Sequence, residues 1–186
     1  DNRGNTWKST GLGKKDVFLG ANQKYRSDTG ERLAVDPNKS EIIYFASRRD
    51  GLWRKNGNQE WAKVSSGLPA AKNLPQYNKS DCKENKDLPG FTFVVFDKNS
   101  VKTNQATKII YVGVHGKGVW QSKNAGQTWR NIAGGKDPLR GTVASDGTLY
   151  VSFGTKPNDG GKKSGGVRKY QNGKWIDITP DGTKRV

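Results

Sequence analysis

The octet SKNAGQTW, residues 122–129, has the form Ser-x-Asn-x-Gly-x-Thr-Trp. Weaker copies of it recur along the chain. NRGNTW, residues 2–7, repeats Asn2, Gly4, Thr6 and Trp7. RKNGNQEW, residues 54–61, keeps Asn56 and Trp61, and YQNGKW, residues 170–175, keeps a polar turn and Trp175 but is one residue short. In the full copy, Ser122, Asn124 and Thr128 supply side chains that tie a tight turn by local hydrogen bonds. Gly126 supplies the positive φ that such a turn needs, and Trp129 covers the packing face beyond it.

The segments upstream of the last three tryptophans share one order of parts. They are RLAVDPNKSEIIYFASRRDGLWRK (32–55), FTFVVFDKNSVKTNQATKIIYVGVHGKGVWQS (91–122) and GTVASDGTLYVSFGTKPNDGGKKSGGVRKY (141–170). Each has a short apolar strand closed by an Asp (Asp36, Asp97, Asp146), then a second strand (IIYFAS, IIYVGV, TLYVSF). A Gly-containing loop and a third strand follow, and a polar turn leads into a strand carrying the Trp. Four short strands per repeat are the mark of a β-propeller blade. The expected fold is therefore all-β, with about three four-stranded antiparallel blades plus part of another in a single propeller segment, 1–186. The blades are expected at 29–66, 89–134 and 140–180, and 1–12 would end a preceding one. Propellers close with roughly 4–8 blades, so this one is expected to be incomplete: a fragment, or an arc closed by a companion chain. The absence of Met and the start at Asp1 point the same way.

Composition agrees with short strands and many loops. Apolar residues make up 31% of 186, Gly is abundant at 24, and there are six each of Trp, Tyr and Phe. No stretch approaches the ~20 apolar residues of a membrane-spanning helix. The single cysteine, Cys82, rules out an internal disulfide. Two glycosylation sequons begin at Asn38 and Asn78. The formal charge of +16 favours polyanions. Its lysines are scattered, however, as on a solvated surface, with no basic run longer than a doublet, as at 14–15, 48–49 and 162–163.

In a four-stranded meander, the blade-to-blade loops and the loops between the second and third strands emerge on one side. Loops on a rigid scaffold commonly carry binding. The long loops here, 13–30, 67–90, 134–141, 47–51, 115–118 and 154–165, hold rings and polar groups suited to stacking on sugars. The candidate glycan-binding residues on this face are Phe18, Tyr25, Arg26, Glu31, Arg32, Arg49, Asp50, Tyr77 and His115. Asp50 also reads as a turn residue, and Glu31-Arg32 as a structural ion pair. His115, the only histidine, has no Cys or His companion and is expected on the loop surface. Neither a metal site nor a cofactor motif is expected.

GERLAVDP (30–37), ATKIIYVGV (106–114), SKNAGQTW, GTVASDGTLYVSF (141–153) and KWIDITP (174–180) together resemble the xyloglucanases of glycoside hydrolase family 74. The resemblance runs in order over nearly the whole chain and places it in the middle of the N-terminal seven-bladed propeller. It marks Asn2, Gly4, Thr6, Trp7, Asn56, Trp61, Ser122, Asn124, Gly126, Thr128, Trp129 and Trp175 as structural Asp-box (BNR-repeat) positions, with Asn in place of the usual Asp. It implies a secreted, inverting endo-glucanase with a glucan cleft between two propellers and one catalytic Asp from each. The first of these Asp residues lies in an Arg-Thr-Asp-Ile-Gly-Gly motif, which is absent here, so no catalytic residue is assigned. The expected function is a carbohydrate-directed propeller for xyloglucan or another β-glucan, inactive as this chain alone. Two alternatives stay open: a non-catalytic glycan- or protein-binding module, and a polyanion or nucleic-acid binder. No membrane partner is expected.

Overall fold

The structure is a computed structural model that describes residues 6, 8–9, 11–12, 31–48, 50–70, 73–74, 90–135, 137–154 and 165–180. Twelve strands form three four-stranded antiparallel sheets, each a simple meander in chain order. Blade 1 is β1 (Leu33–Val35), β2 (Ile42–Ser47), β3 (Gly51–Asn56) and β4 (Ala62–Val64). Blade 2 is β5 (Phe91–Phe96), β6 (Ile110–Val114), β7 (Gly118–Ser122) and β8 (Arg130–Ala133). Blade 3 is β9 (Pro138–Val143), β10 (Leu149–Phe153), β11 (Gly166–Gln171) and β12 (Lys174–Asp177). The expectation of an all-β arc of four-stranded blades is met. Among the described elements, the helical content of the blades is one 3-10 turn at Lys98–Ser100.

Position in the stack explains the residue patterns. Blade 2 lies between two neighbours, so β5 and β6 are apolar almost throughout, and all five residues of β6 are buried. The end blades bury one face fully. In β2, Ile42, Tyr44 and Ala46 are buried while Ile43 and Phe45 are half-buried, and β10 alternates in the same way. One core lies between blades 1 and 2, where Ile42, Tyr44, Ala46 and Leu52 meet Phe91, Val94, Val112 and Trp129. A second lies between blades 2 and 3, where Phe93, Tyr111 and Val119 meet Leu149, Val151, Phe153 and Tyr170. A smaller cluster of Leu12 and Trp61 packs on the far face of blade 1, over Ile43, Phe45 and Trp53.

The octet forms the turn between β7 and β8. The Asn124 and Gly126 N–H groups donate to Ser122 Oγ (3.2 and 2.9 Å), and Thr128 N–H donates to Asn124 Oδ1 (2.9 Å). Asn124 Nδ2 donates to Thr128 Oγ1 (2.9 Å), and the Trp129 indole donates to the Gly126 carbonyl (3.2 Å). Ala125 and Gly126 both have positive φ, 55° and 82°. The turn also touches the neighbouring blade. Tyr44 Oη donates to the Ala125 carbonyl (3.3 Å), and a Cβ at position 126 would overlap that hydroxyl.

On this same rim, polar groups staple blade to blade. Buried Asp36 accepts from Asn38 N–H (2.9 Å) in its own turn, and from Thr107 N–H (2.8 Å) and Thr107 Oγ–H (2.5 Å) of blade 2. Asn38 Nδ2 donates to the Lys98 carbonyl (2.7 Å), and Asn99 Nδ2 donates to the Ser145 carbonyl of blade 3. The sequence equates Asp146 with Asp36 and Asp97, and the structure corrects this. The strand-closing bonds are Asp36 N–H to Ile42 O, Asp97 N–H to Ile109 O and Ala144 N–H to Thr148 O. Ala144 therefore holds the third Asp position. The turn of blade 3 is shorter than those of blades 1 and 2, so its Asp falls inside the turn and not at its closing bond.

Three outcomes test this junction. Asp36→Ala strands two buried donors of Thr107 and should lower unfolding free energy by about 2–4 kcal/mol in denaturant titration. Gly126→Ala should cost about 2–3 kcal/mol, from backbone strain plus overlap with Tyr44. Pairing it with Tyr44→Phe should recover about 1 kcal/mol of that loss in a double-mutant cycle. Burial pushes the Tyr44 phenol up to about 12, against a smaller lowering by Arg54. Its folded value lies above the unfolded value of about 10. The stability gained from keeping it neutral is whole below pH ~10 and is lost as pH rises through about 12. Phenolate absorbance, compared with that of the Tyr44→Phe variant, should place this ionisation at about pH 12 in the folded chain and about pH 10 in the unfolded one.

Candidate functional site

The opposite rim carries the loops between second and third strands and the ends of the innermost strands. At blade 1, Ser47 Oγ–H donates to Asp50 Oδ2 and Asp50 N–H donates back to Ser47 Oγ, both at 3.1 Å. Gly51 then leaves the turn with φ 89°. This bond fixes the Asp50 carboxylate at the loop base. Arg48 beside it is buried. Arg32 lies at the foot of β1, and its carbonyl accepts from Ala46 N–H (2.7 Å). Burial, and then the charge of Arg48, pull the Arg32 guanidinium down to about 10. Two cationic side chains thus crowd the blade 1 corner. Glu31 is exposed at the rim, and its carbonyl accepts from Val94 N–H (3.1 Å) of blade 2.

At the corner of blades 2 and 3 the structure departs from expectation. His115 does not sit on the loop surface, because its side chain is only 4% exposed and its Nδ1 lies 3.1 Å from Asp137 Oδ1. Asp137, 8% exposed, stands just before β9 and also accepts from Gly116 N–H (3.2 Å). Backbone bonds from His115 N–H to Gly90 O and from Gly154 N–H to Asp137 O close the corner (both 2.9 Å). The imidazole is therefore a buried blade-to-blade link. Its partner comes from another repeat 22 positions away, so spacing alone could not reveal the pair.

The structure brings Glu31, Arg32, Asp50 and His115 to one rim but not to one cluster. Phe18, Tyr25, Arg26, Arg49 and Tyr77 lie outside the described residues, as do Asn2, Gly4 and Trp7. Thr6 is exposed, Asn56 ends β3 half-buried, and Trp61 and Trp129 are buried. Trp175 lies within β12 and donates its indole N–H to the Ile132 carbonyl of blade 2 (2.8 Å). Sequence reasoning missed Asn38, Asn99 and Thr107, although the repeated triplets DPN (36–38) and DKN (97–99) carried the signal. Among the described residues no group of three or more His, Cys, Asp or Glu could hold a metal ion. The described residues also contain no helix long and apolar enough to cross a membrane.

Between the innermost strands runs a groove of about 420 Å³, lined by Leu33, Val35, Val95 and Val143, with Glu31 at one end and Lys98 at the other. It is apolar along its length and offers no acid–base pair.

No protein-family model matches the chain. It is 40% identical to the xyloglucanase Xgh74A of Acetivibrio thermocellus over 96% of its own length and 22% of the relative's. A Paenibacillus xyloglucanase is 37% identical over 96% of the chain and 18% of the relative. The GH74 xyloglucanase of Xanthomonas campestris superposes with TM-score 0.67 and 34% identity, over 82% of the chain and 22% of that structure. The chain thus spans about a fifth of the length of these relatives. It is homologous to one segment of the propeller xyloglucanases of glycoside hydrolase family 74.

Proposed function

We propose that this chain is a xyloglucan-directed propeller segment that holds a glucan on its loop rim and does not cleave it alone. The observation that carries the reading is 40% identity across 96% of the chain to a xyloglucanase. The loop rim is the side on which Glu31, Arg32 and Asp50 stand, over a rigid stack. Tyr25 and Tyr77 are the proposed stacking residues, because a tyrosine ring gives a sugar an apolar face with a polar tip. Phe18, Arg26 and Arg49 are proposed to share that role. The segment carries no Arg-Thr-Asp-Ile-Gly-Gly motif. An inverting hydrolysis needs two carboxyl groups about 6.5–9.5 Å apart, and this chain supplies no such assigned pair. Further blades, from the same or a companion chain, would complete the ring and bring the catalytic pair. The site of action proposed from the same relatives is extracellular. The Ser122 turn and its weaker copies are proposed to be Asp-box scaffold.

The charge of +16 favours a second reading, in which the rim takes an acidic glycan or another polyanion. One experiment separates the two. In affinity electrophoresis, xyloglucan should retard the chain. Tyr25→Ala with Tyr77→Ala should weaken retention roughly tenfold, since loss of two stacking contacts amounts to about 1–3 kcal/mol. Retention by an acidic polysaccharide alone, falling steeply with salt, would favour the second reading. Release of reducing ends by the purified chain would refute its inactivity.

A further inference from the structure

Lysines that stand apart in the sequence are gathered by the fold onto one crest. Lys98, Lys102, Lys108 and Lys123 all lie in the two blade 2 turns on the turn rim, 97–109 and 123–129, and all four are exposed. Backbone bonds tie their positions together. Asn38 Nδ2 donates to the Lys98 carbonyl (2.7 Å) and to Thr107 Oγ1 (3.0 Å), beside Lys108. The Lys108 carbonyl accepts from Ala125 N–H (3.0 Å), in the turn that carries Lys123. The Lys102 carbonyl accepts from Gln105 N–H (3.3 Å), and Asn104 N–H donates to the Asn38 carbonyl (2.9 Å). These bonds fix where each lysine leaves the backbone. The staples of this rim use its acids, amides and hydroxyls, and the four ammonium groups take no part in them.

Charge is uneven around the rim. The blade 2 turns set one carboxylate against four lysines, and that one, Asp97, is buried and accepts from Asn99 N–H (3.0 Å). The blade 1 turns, 36–41 and 57–61, set Lys39 against Asp36, Glu41 and Glu60, with Lys39 Nζ 3.9 Å from Glu41 Oε2. The blade 3 turns, 144–148 and 172–173, hold Asp146 and no cation. A cationic crest thus stands between two acidic ones. Among the described residues none of its four lysines forms an ion pair. Its two turns are about two strand spacings apart, ~10 Å, which is close to one Debye length at physiological salt. The four charges therefore act together on an approaching polymer.

The chemistry of the crest selects among polyanions. A lysine ammonium is a compact, hydrated point charge that imposes no bidentate geometry. The two turns contain no arginine, and their one aromatic ring, Trp129, is buried. Nucleic-acid bases would find no stacking platform there. Exposed Thr103, Gln105 and Gln127 stand among the lysines and can bond hydroxyl groups. We propose that the blade 2 crest binds an acidic polysaccharide through Lys98, Lys102, Lys108 and Lys123, and that the acidic crests on either side confine the polymer to that blade. This site lies on the rim opposite the loops proposed to hold a neutral glucan, and it does not depend on that reading.

Immobilised polygalacturonate, a carboxylate polymer, is the probe, read by biolayer interferometry. The wild-type chain should bind it, with affinity falling as salt rises. Lys98→Gln, Lys102→Gln, Lys108→Gln and Lys123→Gln together should weaken binding roughly thirtyfold, the combined effect of four exposed ion pairs. A control with the same loss of charge elsewhere, Lys8→Gln, Lys63→Gln, Lys117→Gln and Lys174→Gln, should weaken it less than about threefold, because those charges are screened from the crest. Retardation by xyloglucan should be the same for the wild-type chain and the crest variant, so the two sites are scored separately. Equal losses in the crest and control variants would mean attraction by overall charge and overturn the proposal. Absence of wild-type binding to polygalacturonate overturns it too, and tighter binding to duplex DNA than to polygalacturonate overturns the choice of an acidic polysaccharide.

Discussion

A sheet that is apolar on both faces has no stable existence without a neighbour on each side, and blade 2 is such a sheet. Phe91, Thr92, Phe93 and Val94 are all buried in succession, so adjacent residues of one strand enter different cores. Val94 packs with blade 1 and Phe93 with blade 3. Because successive side chains of a strand point to opposite faces, one six-residue strand contributes to both junctions at once. The rest of the architecture follows from satisfying this sheet. The end blades supply one apolar face each, and their other faces remain partly in solvent.

Apolar stacking alone would let blades slide, and the polar contacts on the turn rim fix their register. Buried Asp36 is held by donors from its own turn and from blade 2 together. Such a carboxylate needs its partners in place, since removing one leaves a buried charge or donor unsatisfied. The octet works on the same principle. Its backbone is closed by its own side chains, and only then can Ala125 accept from Tyr44 of the next blade. Local turn chemistry and contact between blades are therefore one device on this rim.

Most of the fold was legible in the residues because each strand keeps its own burial pattern. IIYFAS alternates and FTFVVF does not, and the structure explains both by position in the stack. What escaped was contact between repeats. Asp146 looks like Asp36 in the sequence, yet the strand-closing bond falls on Ala144, since turn length differs from blade to blade. His115 reads as a loop residue because its close contact, Asp137 at 3.1 Å from Nδ1, arrives from the next blade. For the candidate site, the aromatic residues named from the sequence fall outside the described residues. The legible part is the strand-end half: Glu31, Arg32 and Asp50.

The two rims divide the labour of the molecule. Side chains on the turn rim are committed to staples, so a change there alters how blades meet. Among the described residues of the loop rim, the Ser47–Asp50 pair and the buried His115–Asp137 contact are bracing links. These hold the bases of the loops, and loops on a rigid scaffold can vary in what they bind. Arg32 and Arg48 are drawn into the same rim, where burial and then the charge of Arg48 lower the Arg32 guanidinium.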